Sequence, residues 1–303
     1  MRVTLRMTSG RVLDNLAYGA ERLQEAQNQT SSGKRISKPS DDVTGTTHAM
    51  HIRSSLSAIG QYERNAGIAK SQLSITSTTL DTVVTSLSDV KKLAVQAGNA
   101  ALSDESRIGI TSQLDSIMNT LVGAANTQYD GKYILSGSQT NKRPIIPNGG
   151  ATPYSYQGDG LNFLLQVAPG SNLSCNVTGD MVFNMGGASN PAAPDVFSVI
   201  KALRDDIAAG DVAQISQHIN DVDAVFSNVN AIRSQVGGRM NRLEVTNASL
   251  ADSKTTLSEL LSQTEDVDLA QAVLDLRTRE NVYQAAIGTA SRVLNLSLVD
   301  YMK

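Results

Sequence analysis

Residues 30–45 read TSSGKRISKPSDDVTG. Glycines beside a lysine can cradle a phosphate, and two adjacent aspartates can hold a cation or act as an acid–base pair. The phosphate reading needs G-x-x-x-x-G-K-[ST] after a strand, so that backbone N–H groups surround the anion and a hydroxyl reaches magnesium. Here Asn28 stands where the first glycine belongs, Arg35 stands where the hydroxyl belongs, and no strand pattern precedes. The segment reads better as a corner between two helices. Gly33 suits a helix end, Pro39 keeps the first helix from continuing, and Ser40 or Asp41 can cap the next one. The acids Asp41 and Asp42 suit the positive end of that helix. Gly33, Lys34, Arg35, Pro39, Asp41 and Asp42 form the inter-helix joint.

Other chemistry is sparse. His48 and His51 sit three apart on a helical run, yet no acidic residue or cysteine stands at ligand spacing, and His218 is remote in sequence. Cys175 is the lone cysteine, so it can form no disulfide within the chain. No Ser/His/Asp, Cys/His or paired-carboxylate constellation is legible. The expectation is a protein that is not an enzyme, with no catalytic residue, cofactor or metal. Aromatic residues make up only 4% and Trp is absent, which supplies bulky clefts poorly. A net charge of −3 asks for neither nucleic acid nor an anionic membrane as partner. No apolar run reaches the roughly 20 residues of a membrane span, and MRVTLRMTSGRVLDNLAYGA lacks the apolar core of a cleaved export signal.

Heptads dominate the rest. Ile59, Ala66, Leu73, Leu80, Leu87 and Ala94 recur every seven residues, each followed three positions later by Tyr62, Ala69, Thr76, Val83, Val90 or Ala97. A helix from Asp42 to Ala94 would be roughly 80 Å long. A second stripe, Ile110, Leu114, Ile117 and Leu121, follows a cap signal at Ser103-Asp104-Glu105. A third runs from Ile215 through Val222, Val229, Val236, Leu243 and Leu250 to Leu261, with Arg233, Asn247 and Lys254 interrupting at core register. Residues 71–88 carry a single charge, Asp81, and many Ser and Thr, which suits a helix contacted on several sides.

Between the helices, residues 136–197 change character. PYSYQ (153–157), LNFLLQV (161–167), NLSCNV (172–177) and MVF (181–183) read as short strands between turn signals such as Pro169-Gly170. The termini are amphipathic. Leu13, Leu16 and Leu23 line the first helix. Leu269, Val273, Leu276, Tyr283, Ile287, Leu294 and Leu298 line the last, with Glu280 interrupting. One-sided helices of this size are marginal alone, so they need each other or copies from neighbouring subunits. The expected fold is mainly α with a small inserted β domain: an elongated hairpin of long coiled-coil helices, termini paired at the base. Residues 1–41 and 266–303 form a terminal-helix assembly domain, 42–135 and 198–265 a helical rod, and 136–197 the β-rich insert.

The joint, SSGKRISKPSDDVTG, resembles the segment that flagellin-family proteins carry after their first helix. KKLAVQAGNAALSD (91–104) and IRSQVGGRMNRLE (232–244) resemble two further family signatures. MRVTLRM, NTQYDGKYILSG (126–137) and the ending LNLSLVDYMK (294–303) are similar to the family's hook–filament junction branch. The resemblance covers about residues 1–135 and 198–303. It implies a structural adaptor between hook and filament, outside the cell in the flagellum, reached through the flagellar type III apparatus without a cleaved signal. The implied partners are further copies of the chain in a ring, a neighbouring hook-associated junction protein, flagellin and a flagellar type III export chaperone. The alternatives are a bulk filament subunit and a non-flagellar coiled-coil scaffold. The innate-receptor site of flagellins is not implied, because Asp89 replaces the arginine those proteins carry there.

Overall fold

A computed structural model describes residues 5–99, 102–148, 152–185 and 194–301, with the side chains of 5, 6, 8, 9 and 293–301 outside the description. The elements run α1 (Leu5–Ser32), α2 (Val43–Ala97), α3 (Asp104–Ala125), β1 (Gln128–Tyr129), β2 (Lys132–Tyr133), β3 (Ile145–Pro147), β4 (Tyr154–Tyr156), β5 (Leu164–Ala168), β6 (Ser171–Ser174), α4 (Gly179–Phe183), α5 (Val196–Ala209), α6 (Val212–Glu265) and α7 (Leu269–Tyr301). The fold is mainly α with small antiparallel β elements. Among the described residues no helix is long and apolar enough to cross a membrane. The chain divides into two compact units, one made of the chain up to Ala58 and from Asp252 onward, the other Ile59–Ala251.

The 59–251 unit holds a large apolar core. Every member of the α2 heptad stripe is buried except Tyr62, which is half-buried. Leu73, Leu80 and Leu87 of α2, Leu114 and Leu121 of α3, Leu203 and Ile207 of α5 and Val229 and Val236 of α6 belong to one buried cluster. Lys91 Nζ meets Asp223 Oδ1, and Arg233 Nε meets Asp81 Oδ1 at 2.6 Å, so α2 and α6 run antiparallel. Arg233 therefore lies at the edge of the apolar stripe, exposed, as a charged tie between the helices. Thr76 is wholly buried in the stripe, and its hydroxyl donates to Gln72 O at 2.8 Å. Thr78, Thr79, Thr82 and Thr85 bond back one turn in the same way. A hydroxyl satisfied by its own helix can be buried at little cost.

The inserted segment forms three separate two-stranded antiparallel hairpins, β1–β2, β3–β4 and β5–β6. Asp130 and Gly131, both at positive φ (51° and 72°), turn the first one, as a two-residue hairpin requires. Leu135, Ile145, Val167, Leu173 and Cys175 join the same buried cluster as the helices. MVF, predicted as a strand, lies instead in α4. A strand would send Val182 and Phe183 to opposite faces, whereas both are fully buried and Phe183 packs on Phe197 with ring centroids 5.1 Å apart.

Polar caps start most of the helices. Asp42 Oδ1 accepts Gly45 N–H at 2.8 Å ahead of α2, Ser103 caps α3 and Asp195 caps α5. Asp211 Oδ1 accepts Ala213 N–H ahead of α6, and Asp268 Oδ1 accepts Ala270 N–H ahead of α7. Asp42, not Ser40 or Asp41, caps α2, because the turn at Lys38–Asp41 places the helix start one residue later than the sequence suggests.

Candidate assembly interface

The unit built from both ends of the chain carries the residues that sequence reading assigns to assembly. α1 and α7 pack against each other. A Cβ at Gly19 would lie 3.4 Å from the Tyr283 ring, Arg279 donates to Arg22 O at 3.2 Å, and Val267 N–H donates to Gly33 O at 3.0 Å. Residue numbers fall along one helix as they rise along the other, so the pair is antiparallel. The seam is lined by small residues. Ala26, Ala272 and Ala290 are its buried members, and Leu16, Leu23, Leu276 and Tyr283 are only half-buried. Leu13 (55% exposed), Leu269 (56%), Val273 (38%) and Ile287 (47%) are open. Leu294 and Leu298 fall on α7 positions whose side chains lie outside the described residues. The predicted assembly set therefore splits into four seam residues and four exposed ones.

The joint is built by sequence-remote parts of this unit. Gly33 ends α1 at φ 69°, and its N–H bonds back to Gln29 O at 2.9 Å, a left-handed cap that a side chain would strain. Lys34 pairs in an isolated antiparallel bridge with Asp266. Pro39 lies in the Lys38–Asp41 turn, seven residues beyond the end of α1, so Gly33 and not Pro39 stops that helix. The Asp41 carboxylate accepts Lys38 N–H at 2.8 Å and Ser37 N–H at 3.0 Å, and these bonds, the Lys38 one first, hold its pKa below the usual carboxylate value. Asp42 is lowered in the same direction, first by the Gly45 N–H bond.

Sequence reading missed the centre of this joint. Glu265, the last residue of α6, is 3% exposed. Its Oε2 accepts from Arg53 Nη2 at 2.6 Å and Lys34 Nζ at 3.1 Å, while its backbone oxygen accepts Arg35 N–H at 2.6 Å. Arg35 also reaches Thr264 O at 2.9 Å and Asp42 Oδ2 at 3.4 Å. Lys34 and Arg35 thus find partners inside their own unit. The missing signal was pairing: QTED at 263–266 is unremarkable until the chain brings Lys34 and Arg53 to it. His48 and His51 are exposed on α2, and no cluster of metal-ligating residues exists among the described residues.

Residues 4–140 match the model of the bacterial flagellin N-terminal helical region, and residues 219–302 match that of the C-terminal helical region. The chain belongs to the flagellin family. Flagellar hook-associated protein 3 of Escherichia coli K12 is 24% identical over 91% of each chain, and that of Salmonella typhimurium LT2 is 23% identical over 98% of each. The fold is shared with the crystal structure of flagellar hook-associated protein-3 from Legionella pneumophila, at a TM-score of 0.65 and 17% identity over 71% of this chain and 98% of that one. Within this flagellin-family chain the matched stretches contain α1, the joint and all of α7, whereas the β3–β4 and β5–β6 hairpins, α4 and α5 fall outside them.

Proposed function

We propose that this chain is a structural adaptor subunit of the bacterial flagellum, joining hook to filament through contacts between the terminal helices of neighbouring copies. One observation carries the reading. The only hydrophobic residues fully buried in the terminal unit, among those described, are Ala26, Ile36, Ala49, Ile52, Ala272 and Ala290. Four of the six are alanines, and burying a methyl contributes only about 1 kcal/mol. The larger side chains Leu13, Leu269, Val273 and Ile287 are left in water. Such a unit gains its core when another chain covers it, so ordering is coupled to assembly. Leu13, Leu16, Leu23, Leu269, Val273, Leu276, Tyr283, Ile287, Leu294 and Leu298 are the proposed assembly residues. In the proposed division of labour, 1–41 and 266–303 assemble, 42–135 and 198–265 form a self-folding rod, and 136–197 is an accessory insert. Proposed partners are further copies in a ring, a neighbouring hook-associated junction protein, flagellin, and an export chaperone that escorts the chain through the flagellar type III apparatus to the cell exterior. The role is structural and calls for no catalysis or cofactor.

A strain lacking the chain is expected to build intact hooks without attached filaments; hooks that retain normal filaments overturn the proposal. A bulk filament subunit is the second reading, favoured by the flagellin helical regions themselves. On the junction reading the purified chain is expected to form no long filaments alone, so spontaneous growth of micrometre filaments decides for the bulk-subunit reading. Leu13→Asp combined with Ile287→Asp should abolish filament attachment while leaving the 59–251 unit folded.

A further inference from the structure

The α1–α7 pair has two unlike sides. In both helices the flank lying about a quarter turn beyond the seam, in the direction of increasing rotation, is apolar: Leu13 and Ala20 on α1, Val273 and Ile287 on α7. Because the helices are antiparallel, these two flanks turn to the same side of the pair. One residue breaks the part of that side next to the seam, while Arg277 stands exposed at its outer edge. Glu280 stands seven residues after Val273 and seven before Ile287, half-buried, with no hydrogen-bond or ion-pair partner among the described residues.

The opposite flanks carry a different set. Arg11 and Tyr18 on α1 and Val282 on α7 turn to the other side of the pair, with Tyr18 56% and Val282 62% exposed. Arg11 is exposed and has no partner among the described residues. Arg22 is held over the Tyr18 ring at 4.8 Å, so Arg11 is the cation left open on that side. One side thus offers apolar surface around an unpaired carboxylate, and the other offers two apolar side chains beside an unpaired guanidinium.

We infer that these two sides are the two halves of one contact: the Glu280 side of one copy takes the Arg11–Tyr18–Val282 side of the next, with Glu280 and Arg11 paired across it. This rests on the reading that copies assemble through their terminal helices. A contact between unlike surfaces is heterologous and repeats in one direction, giving a ring or a helical array and not a closed dimer. The carboxylate also sets register. Covering Glu280 with apolar surface strands a buried charge, so alignments that do not bring a cation to it are disfavoured, as with a single polar residue in a coiled-coil seam.

The test uses the full-length chain in a strain lacking its own copy, scored for attached filaments. Glu280→Arg and Arg11→Glu should each reduce attachment about tenfold or more, and the two together should restore it. Purified variants should keep the wild-type circular dichroism spectrum. Failure of the double reversal to restore attachment overturns the inference, as does wild-type attachment in either single variant. Restoration of Glu280→Arg by Arg277→Glu, on the Glu280 side of α7, overturns it in favour of a symmetric pairing of like sides. As a second measurement, a chain carrying both Arg11→Cys and Glu280→Cys, oxidised in isolated flagella, should give a ladder of linked copies beyond the dimer; no ladder, or dimers alone, overturns the heterologous contact. If Leu13→Asp with Ile287→Asp leaves attachment intact, the assembly reading itself fails; if that pair abolishes attachment while the charge reversals change nothing, only the present inference fails.

Discussion

Replacing Glu265 by glutamine tests whether the joint is held by that one carboxylate. The substitution keeps the shape and removes the charge. In the native joint the carboxylate is 4% exposed and accepts from Arg53 at 2.6 Å and Lys34 at 3.1 Å. Hydrogen bonds to charged groups contribute about 1.5–3 kcal/mol each, and neutral ones about 1. A glutamine oxygen retains a weaker acceptor, so the loss is about 1–2 kcal/mol per bond. Both cations recover part of it by rehydration, since Lys34 is 42% and Arg53 53% exposed. The net cost comes to about 2 kcal/mol. Hydrogen exchange reads it locally, at Arg35 N–H, bonded to Glu265 O, and at Val267 N–H, bonded to Gly33 O. Loss of about 2 kcal/mol speeds exchange there by about 30-fold where local opening governs it. Amides of the buried stripe at Val83 and Leu114 should not change. Unchanged protection at Arg35 and Val267 refutes the reasoning, and so does an equal loss in both units. Lys34→Met and Arg53→Met, combined with Glu265→Gln, should show coupling with that residue and not simple addition.

Gly45→Ala places a Cβ 2.5 Å from Asp42 Oδ2 and 2.6 Å from Ile36 Cδ1, and should destabilise the terminal unit by about 1–3 kcal/mol in a denaturant titration; an unchanged midpoint contradicts the tight approach. Gly33→Ala should cost about 1–2 kcal/mol, because φ 69° is strained for alanine although nothing lies within 4 Å. For pH, Asp41 and Asp42 both titrate below the ordinary carboxylate value when folded. Their contribution is therefore fully present above that value and is lost as pH falls through the folded values, so protection at Lys38 and Gly45 amides should hold at pH 5 and decline in stronger acid. Arg233→Ala and Asp81→Ala should each cost less than about 1 kcal/mol, since the pair is half-exposed; coupling of several kcal/mol in a double-mutant cycle would show that it is more than a surface tie.

The long helices were legible because heptad spacing and burial report the same geometry. From Ala66 to Ala97 every residue of the two lines of the α2 stripe is buried, and a third line the pattern did not announce, Thr79, Ser86 and Leu93, is buried beside them. The nearly uncharged 71–88 segment, with Asp81 its single charge, was legible as unusual, and the reason became visible only with Thr hydroxyls bonded to carbonyls one turn back. The short β segments were less so. PYSYQ contains β4, but LNFLLQV begins three residues before β5, and MVF is helical. Two- to five-residue elements take their conformation from the core they plug, and that core is made of distant residues such as Phe197. The joint was half legible. Gly33 and the aspartates announce a corner, whereas Glu265 depends on pairing across more than two hundred residues, which no local pattern records.

The same heptad grammar has two different outcomes in this chain. In α2, from Ala66 onward, both lines of the stripe are buried in one cluster with residues of α3, α5, α6 and the hairpins, within one unit. In α7 the line Leu276, Tyr283, Ala290 faces α1, whereas of the line Val273, Glu280, Ile287 the two apolar residues are exposed and Glu280 is half-buried. Periodicity therefore says that a helix has a partner, and burial says whether that partner belongs to the same chain. The small residues of the α1–α7 seam sharpen the distinction. Gly19, Ala26, Ala272 and Ala290 let the two helices approach closely, which uses little side-chain volume, leaves Leu16, Leu23, Leu276 and Tyr283 only half-buried and leaves Leu13, Leu269, Val273 and Ile287 exposed. A pair built this way is specific in register but poor in buried area. It is suited to chains that must remain loosely held until a neighbour arrives, and a carboxylate at Glu280 makes the identity of that neighbour matter.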